Sequence, residues 1–202
     1  MLDPADIVRF SDTPAPEGAS PWVGGAAPAR DIEIVPPDPA WPERFAALET
    51  RIRAALGERV LALEHVGSTS VPGFAAKPII DIDLTVADGA DEPAYLPALE
   101  AAGFTFRVRE PWWYGHRLLG ADDPRAFVHV WSPDTPEPVR HVIFRDWLRG
   151  HPDDRAEYAA AKHAAAEAAN AHGEDMMSYN DRKQDVIRAI YARAFRAAGL
   201  LG

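Results

Sequence analysis

The sequence predicts a mixed α+β fold, a β-sheet flanked by helices with a helical portion towards the C-terminus. Three observations lead there. Short strand-like runs alternate with longer runs at helical spacing up to about residue 150. The run Ile79 to Val86 is apolar except at Asp81, Asp83 and Thr85, as expected of a mostly buried strand. From Asp153 onward only helical patterns remain. The chain has 202 residues, enough for a substantial core.

Residues 1–30 read as a poorly ordered tail. Pro, Gly, Ala and Ser dominate it, and such a stretch buries little apolar surface. Trp22 and Val23 are the side chains there able to dock on the body. Residues 31–202 form the domain. Ile32 to Val35 is a short strand. Asp38 can cap the next helix, with Pro39 at its first position. Trp41, Phe45, Leu48, Ile52 and Leu56 follow at helical spacing, and Gly57 ends the run.

Leu61 to Val66 and Ile79 to Val86 are strands. Asp91 to Ala102 is a helix closed by Gly103. Phe104 to Arg109, Phe127 to Trp131 and Val139 to Phe144 are further strands, and Arg145 to Arg149 begins a helical turn. Asp153 to His172 is an alanine-rich helix closed by Gly173. Asn180 to Ala198 is the last helix, with Val186, Ile187, Ile190 and Tyr191 on one face.

Composition narrows the function. Hydrophobic residues are 47% and charged ones 26%, which is ordinary for a globular protein. A net charge of −10 argues against broad binding to a polynucleotide, which needs a basic surface. Cysteine is absent, so there is no disulfide framework and no thiolate zinc site. No stretch is long and apolar enough to span a membrane, and no signal peptide is visible, so a cytoplasmic setting is expected.

The chemistry concentrates between His65 and Leu84. Asp81 and Asp83, two apart on a strand, share a face. Two neighbouring carboxylates repel, and a divalent cation, Mg or Mn, is the simplest group that would favour them together. Solvent exposure or pairing with arginine is the plainer alternative. The Gly67-Ser68 turn, with Thr69 beside it, offers backbone N–H groups and hydroxyls to an anion. Lys77, extended before Pro78, can reach a phosphate or simply neutralise Asp81. No Gly-Lys-Ser/Thr follows, so the stretch is not a Walker loop.

Gly-Ser, a spacer and then hydrophobic-Asp-hydrophobic-Asp-hydrophobic resembles the DNA polymerase beta-type nucleotidyltransferase superfamily. More narrowly, His65 to Asp83 closely resembles the GrpB family, a branch of it, and the likeness runs from about Ile34 to about Ile190. Its further markers are Pro39-Ala40-Trp41, Phe45, Arg117, His129, Arg145 to Arg149, Glu157-Tyr158, Lys162, Tyr179 and Lys183. The resemblance implies a mixed sheet flanked by helices and a metal site at Asp81 and Asp83. Active members of the superfamily add a third carboxylate on a later strand. Here His129 stands at that position, as a ligand, a base or a structural histidine. Glu64 and Glu110 are other carboxylates that would serve.

Arg117 and Arg145 are candidate phosphate clamps, through arginine's bidentate fork. Tyr158 with Lys162, and Tyr179 with Lys183, lie at i,i+4 spacing. Each pair offers an aromatic for base stacking and an ammonium for phosphate, or a tyrosine tucked against the core beside a solvated lysine. The resemblance therefore implies a metal-dependent nucleotidyltransferase. It would move a nucleoside monophosphate from a nucleoside triphosphate to an unidentified acceptor, a small molecule or a protein. The rival is a non-catalytic nucleotide- or phosphate-binding module. It is suggested by the missing carboxylate and by GrpB-like domains fused to dephospho-CoA kinase, which hint at coenzyme A metabolism.

Overall fold

A computed structural model describes residues 2–11 and 13–201. Five strands form one mixed sheet: β1 (Ala62–Val66), β2 (Ile80–Thr85), β3 (Thr105–Glu110), β4 (His116–Asp122) and β5 (Arg125–Trp131), in the order β1-β2-β5-β4-β3. Only β2 and β5 run parallel; the other pairs are antiparallel. The α+β expectation holds.

Ile80, Ile82 and Leu84 leave β2 on one face, and the register sets Ala126, Val128 and Val130 beside them. Helices α2 (Trp41–Leu56) and α3 (Glu92–Ala101) cover that face with Trp41, Leu48, Ile52, Leu56, Tyr95 and Leu99, all buried. This is the main core, and its period-3.6 stripe was visible in the sequence. Asp81 and Asp83 therefore point to the opposite face. Helices α4 (Pro136–Gly150), α5 (Pro152–Ala171), α6 (Met176–Arg182) and α7 (Gln184–Ala197) complete the fold after the last strand.

Five sequence expectations change. Asp38 is not the cap of α2 and Pro39 lies before it: the helix begins at Trp41, Ala40 is its N-cap residue and Pro42 is the proline in its first turn. Val139 to Phe144 is not a strand but the middle of α4. Its β-branched residues favour strands only weakly, and Pro136 in the first turn together with packing on β1 and α7 decides for helix. Ile32 to Val35 forms no strand beyond a single bridge from Val35 to Ala76. His116 to Asp122 is a strand that no alternation announced, because it is buried on both faces. The last helix is two, broken at Lys183 without a Gly or Pro signal.

Within residues 1–30, helix α1 (Pro4–Val8) rests on α4, and Trp22 bridges to Val108 of β3. Among the described residues no helix is long and apolar enough to cross a membrane.

Candidate functional site

The acid face of β2 is bounded at one end by the turn after β1. Gly67 has φ +66°, and a Cβ there would stand 2.9 Å from the Cβ of Asp81. Only glycine lets the turn pass this close to the carboxyl group. Ser68 to Ser70 then make one turn of 3₁₀ helix. Thr69 is buried; its hydroxyl donates to the Ile79 carbonyl (3.2 Å) and meets Nε2 of His65 (3.0 Å). It braces the turn, and a ligand cannot reach it.

Three lysines converge on Asp81 from three elements: Lys77 before β2, Lys162 on α5 and Lys183 between α6 and α7. The half-buried Asp81, Lys77 and Lys183 form the rim, and the buried Lys162 and Tyr179 form the floor. Lys162 Nζ donates to the Ala75 carbonyl (2.5 Å) and lies 4.1 Å from the Phe74 ring centre. Lys183 Nζ lies 4.3 Å from the Tyr179 ring centre, and Lys77 Nζ 4.9 Å from it; Lys77 also touches Met176 Sδ. The Tyr158 hydroxyl meets the Ser68 side chain.

Burial lowers all three amines, and their mutual repulsion lowers Lys77 and Lys162 further. Lys77 and Lys183 fall to about 8, and Lys162 to about 7. Burial raises the Asp81 carboxyl against the pull of Lys77 and Lys183.

Asp83 belongs to a second half. It is buried, accepting from Trp131 Nε1 and His141 Nδ1, each at 2.8 Å. Burial opposes charge on both partners, but their attraction wins: His141 is held up at about 9 and Asp83 stays below the usual carboxylate range. His129, opposite Asp83 on β5, bonds through Nδ1 to His116 Nε2 (2.9 Å), and His116 Nδ1 meets Glu110 (2.7 Å). Burial, then His116, pushes His129 down to about 3, so it is neutral.

Two predicted clamps lie elsewhere. Arg117 sits on the core face of β4 and pairs with Glu92 at the start of α3 (2.6 Å). It stands next to His116 and Leu118 in the strand, so the pleat turns it to the opposite face. Arg145 is spent on Glu64 and Asp146, each at 2.8 Å, and on the His65 carbonyl. With Arg149, which donates to the Ser70 carbonyl (2.8 Å), it straps α4 to β1 and the turn.

Nor do Asp81, Asp83 and His129 fit a divalent cation as they stand. Among the described residues no three His, Asp or Glu groups converge to hold a metal ion. Both Asp83 oxygens are taken, and three ammonium groups and an imidazolium already surround the acid pair.

Sequence reasoning missed His141 and Trp131. Trp131 was legible in principle, two residues beyond His129 on the same face. His141 was hidden because its segment was read as a strand.

Together these elements define a class: a one-sheet α+β protein with two aspartates on one strand face, Asp81 half-buried against a glycine turn and Asp83 buried beside it. The chain belongs to the GrpB family, whose model, described as GrpB protein, matches residues 31–193. It is 45% identical to a UPF0157 protein of Halalkalibacterium halodurans over 81% of this chain and 82% of that one. It is 33% identical to a dephospho-CoA kinase of Mycolicibacterium paratuberculosis, over 85% of this chain but only 48% of the kinase. The crystal structure of the conserved protein GrpB from Enterococcus faecalis superposes with a TM-score of 0.70 and 30% identity, covering 82% of this chain and 99% of that one.

Proposed function

We propose that the protein binds a nucleotide or nucleotide-like phosphorylated small molecule on the Asp81 face of its sheet. The observation that carries this is the convergence of the Gly67-Ser68 turn with Lys77, Lys162 and Lys183 on one partly open spot. Backbone N–H groups, hydroxyls and ammonium groups are the usual partners of a phosphate tail. Tyr158 and Tyr179 stand beside the lysines but are largely buried, so they wall the site more than they stack on a base. Relatives that carry a matching region beside a kinase region support a role near nucleotide chemistry. A cysteine-free chain is at ease in the cytoplasm, where we place it.

The second reading is nucleotidyl transfer with Mg or Mn, passing a nucleoside monophosphate to a small-molecule or protein acceptor. It is favoured by Asp81 and Asp83 sharing one face. One titration separates the two. Each nucleoside triphosphate is added to the full chain with and without Mg²⁺ or Mn²⁺, following heat, melting temperature and pyrophosphate release. Binding that disappears in Ser68→Pro and Lys183→Ala supports the first reading; metal-dependent pyrophosphate release adds the second. No heat and no shift with any nucleotide sinks both.

A further inference from the structure

We propose that Lys77, Lys162 and Lys183 form a seat for the terminal phosphate of a phosphomonoester or pyrophosphate. The three ammonium groups, and no divalent cation, supply its counter-charge. This deepens the reading above and rests on it. The chain contains 21 lysines and arginines, and these are its only lysines. Its braces at Arg140, Arg145 and Arg149 are arginines. At this one place it uses compact ammonium groups, which act on a phosphate as point charges.

The surplus of charge is structural. Among the described residues no carboxylate lies within 4 Å of any of the three amines. Their neighbours are a carbonyl, a thioether and aromatic rings. Among the described residues Asp81 is the one acid whose field reaches all three. Asp83 cannot help, because its partner is His141. Three like charges gathered around one acid at a partly dry site are unfavourable until an anion joins them.

A second observation is independent of the lysines. Tyr179 is fully buried, and its hydroxyl, near Asp81 and Tyr158, has no hydrogen-bond partner among the described residues. An orphaned buried donor next to unpaired ammonium groups is what a site lacking its oxyanion looks like.

The test uses the full chain in excess EDTA, with inorganic phosphate, pyrophosphate, AMP and ATP as probes in calorimetry. Wild type is expected to bind pyrophosphate or ATP without metal, and Lys162→Met or Lys183→Met to weaken that at least tenfold. Methionine keeps the apolar volume, and melting curves show whether each variant folds. The wild-type measurement needs no variant at all. Binding that requires Mg²⁺ or Mn²⁺, or is unchanged in both folded variants, overturns the lysine seat but leaves a nucleotide site on this face. Failure of every probe under both conditions overturns both.

Discussion

At Gly67 the chain adopts φ +66° and ψ −172°, a region open to little besides glycine. Gly67→Ala meets that strain and the Asp81 side chain together. Urea unfolding is expected to show a loss of about 1–3 kcal/mol, and a loss near zero would mean the turn is not held against Asp81. His141 offers a pH signature. Its proton is retained in the folded state up to about 9, against 6.5 unfolded. Its contribution is therefore complete below pH 6.5 and fades as pH rises through 9. Lys162 acts in the opposite direction. Folded, it holds its proton only to about 7, so the unfolded chain binds more protons above that and stability rises with pH up to about 10. Comparing wild type with His141→Gln from pH 6 to 9.5 cancels the lysines. The gap between them should narrow steadily, and a constant gap would sever His141 from Asp83. Asp81, Asp83 and the glycine turn were legible because strand period and residue type say enough on their own. The trio of lysines was legible only as separate spacings; that Lys77, Lys162 and Lys183 meet is a fact of tertiary packing.

Elements were readable where one face is apolar and the other is not. Helix α2 and strand β2 have that pattern; β4 and α4 do not. In α4, Val139, Val142 and Ile143 suggest a strand, while His141, Arg145 and Leu148 sit three to four apart on a helix. The same helix holds Arg140, fully buried, whose guanidinium donates to the carbonyls of Asp6 and Ile7, each at 2.6 Å, and of Arg9, and pairs with Glu137. Helix α1 is too short to persist alone, so Arg140 acts as the clasp of a segment whose composition suggests no order. Arg140→Met is expected to unlock residues 2–11. Their amide exchange should rise towards that of a free peptide while β2 and β5 stay protected. Uniform loss of protection would mean the arginine supports the whole domain. Unchanged exchange at 2–11 would mean Phe10, packed on Tyr191 and Phe195, holds the segment unaided.

For the molecule as a whole, the balance of charge sets the outcome. The protein carries −10 overall, yet its one lysine cluster is locally positive. A phosphorylated ligand approaches a repelling surface and binds in an attracting recess. Salt acts on these separately: the long-range field is screened within about 10 Å at 0.1 M, while charges in a partly buried recess are screened much less. Raising salt from low to moderate levels should therefore speed association of pyrophosphate or ATP, with a smaller effect on dissociation. A basic, surface-exposed site would lose affinity steeply instead. The same linkage has a thermal readout. Ligand present at a hundred times its dissociation constant adds about 2.7 kcal/mol to the folded state. For a domain of this size that is roughly 5–10 °C in melting temperature. The gain should appear in EDTA and fall to about half or less in Lys183→Met at the same ligand concentration. If it follows Mg²⁺ and ignores the lysine, the acid pair holds the phosphates through a metal, and His141 must leave Asp83 for that to happen.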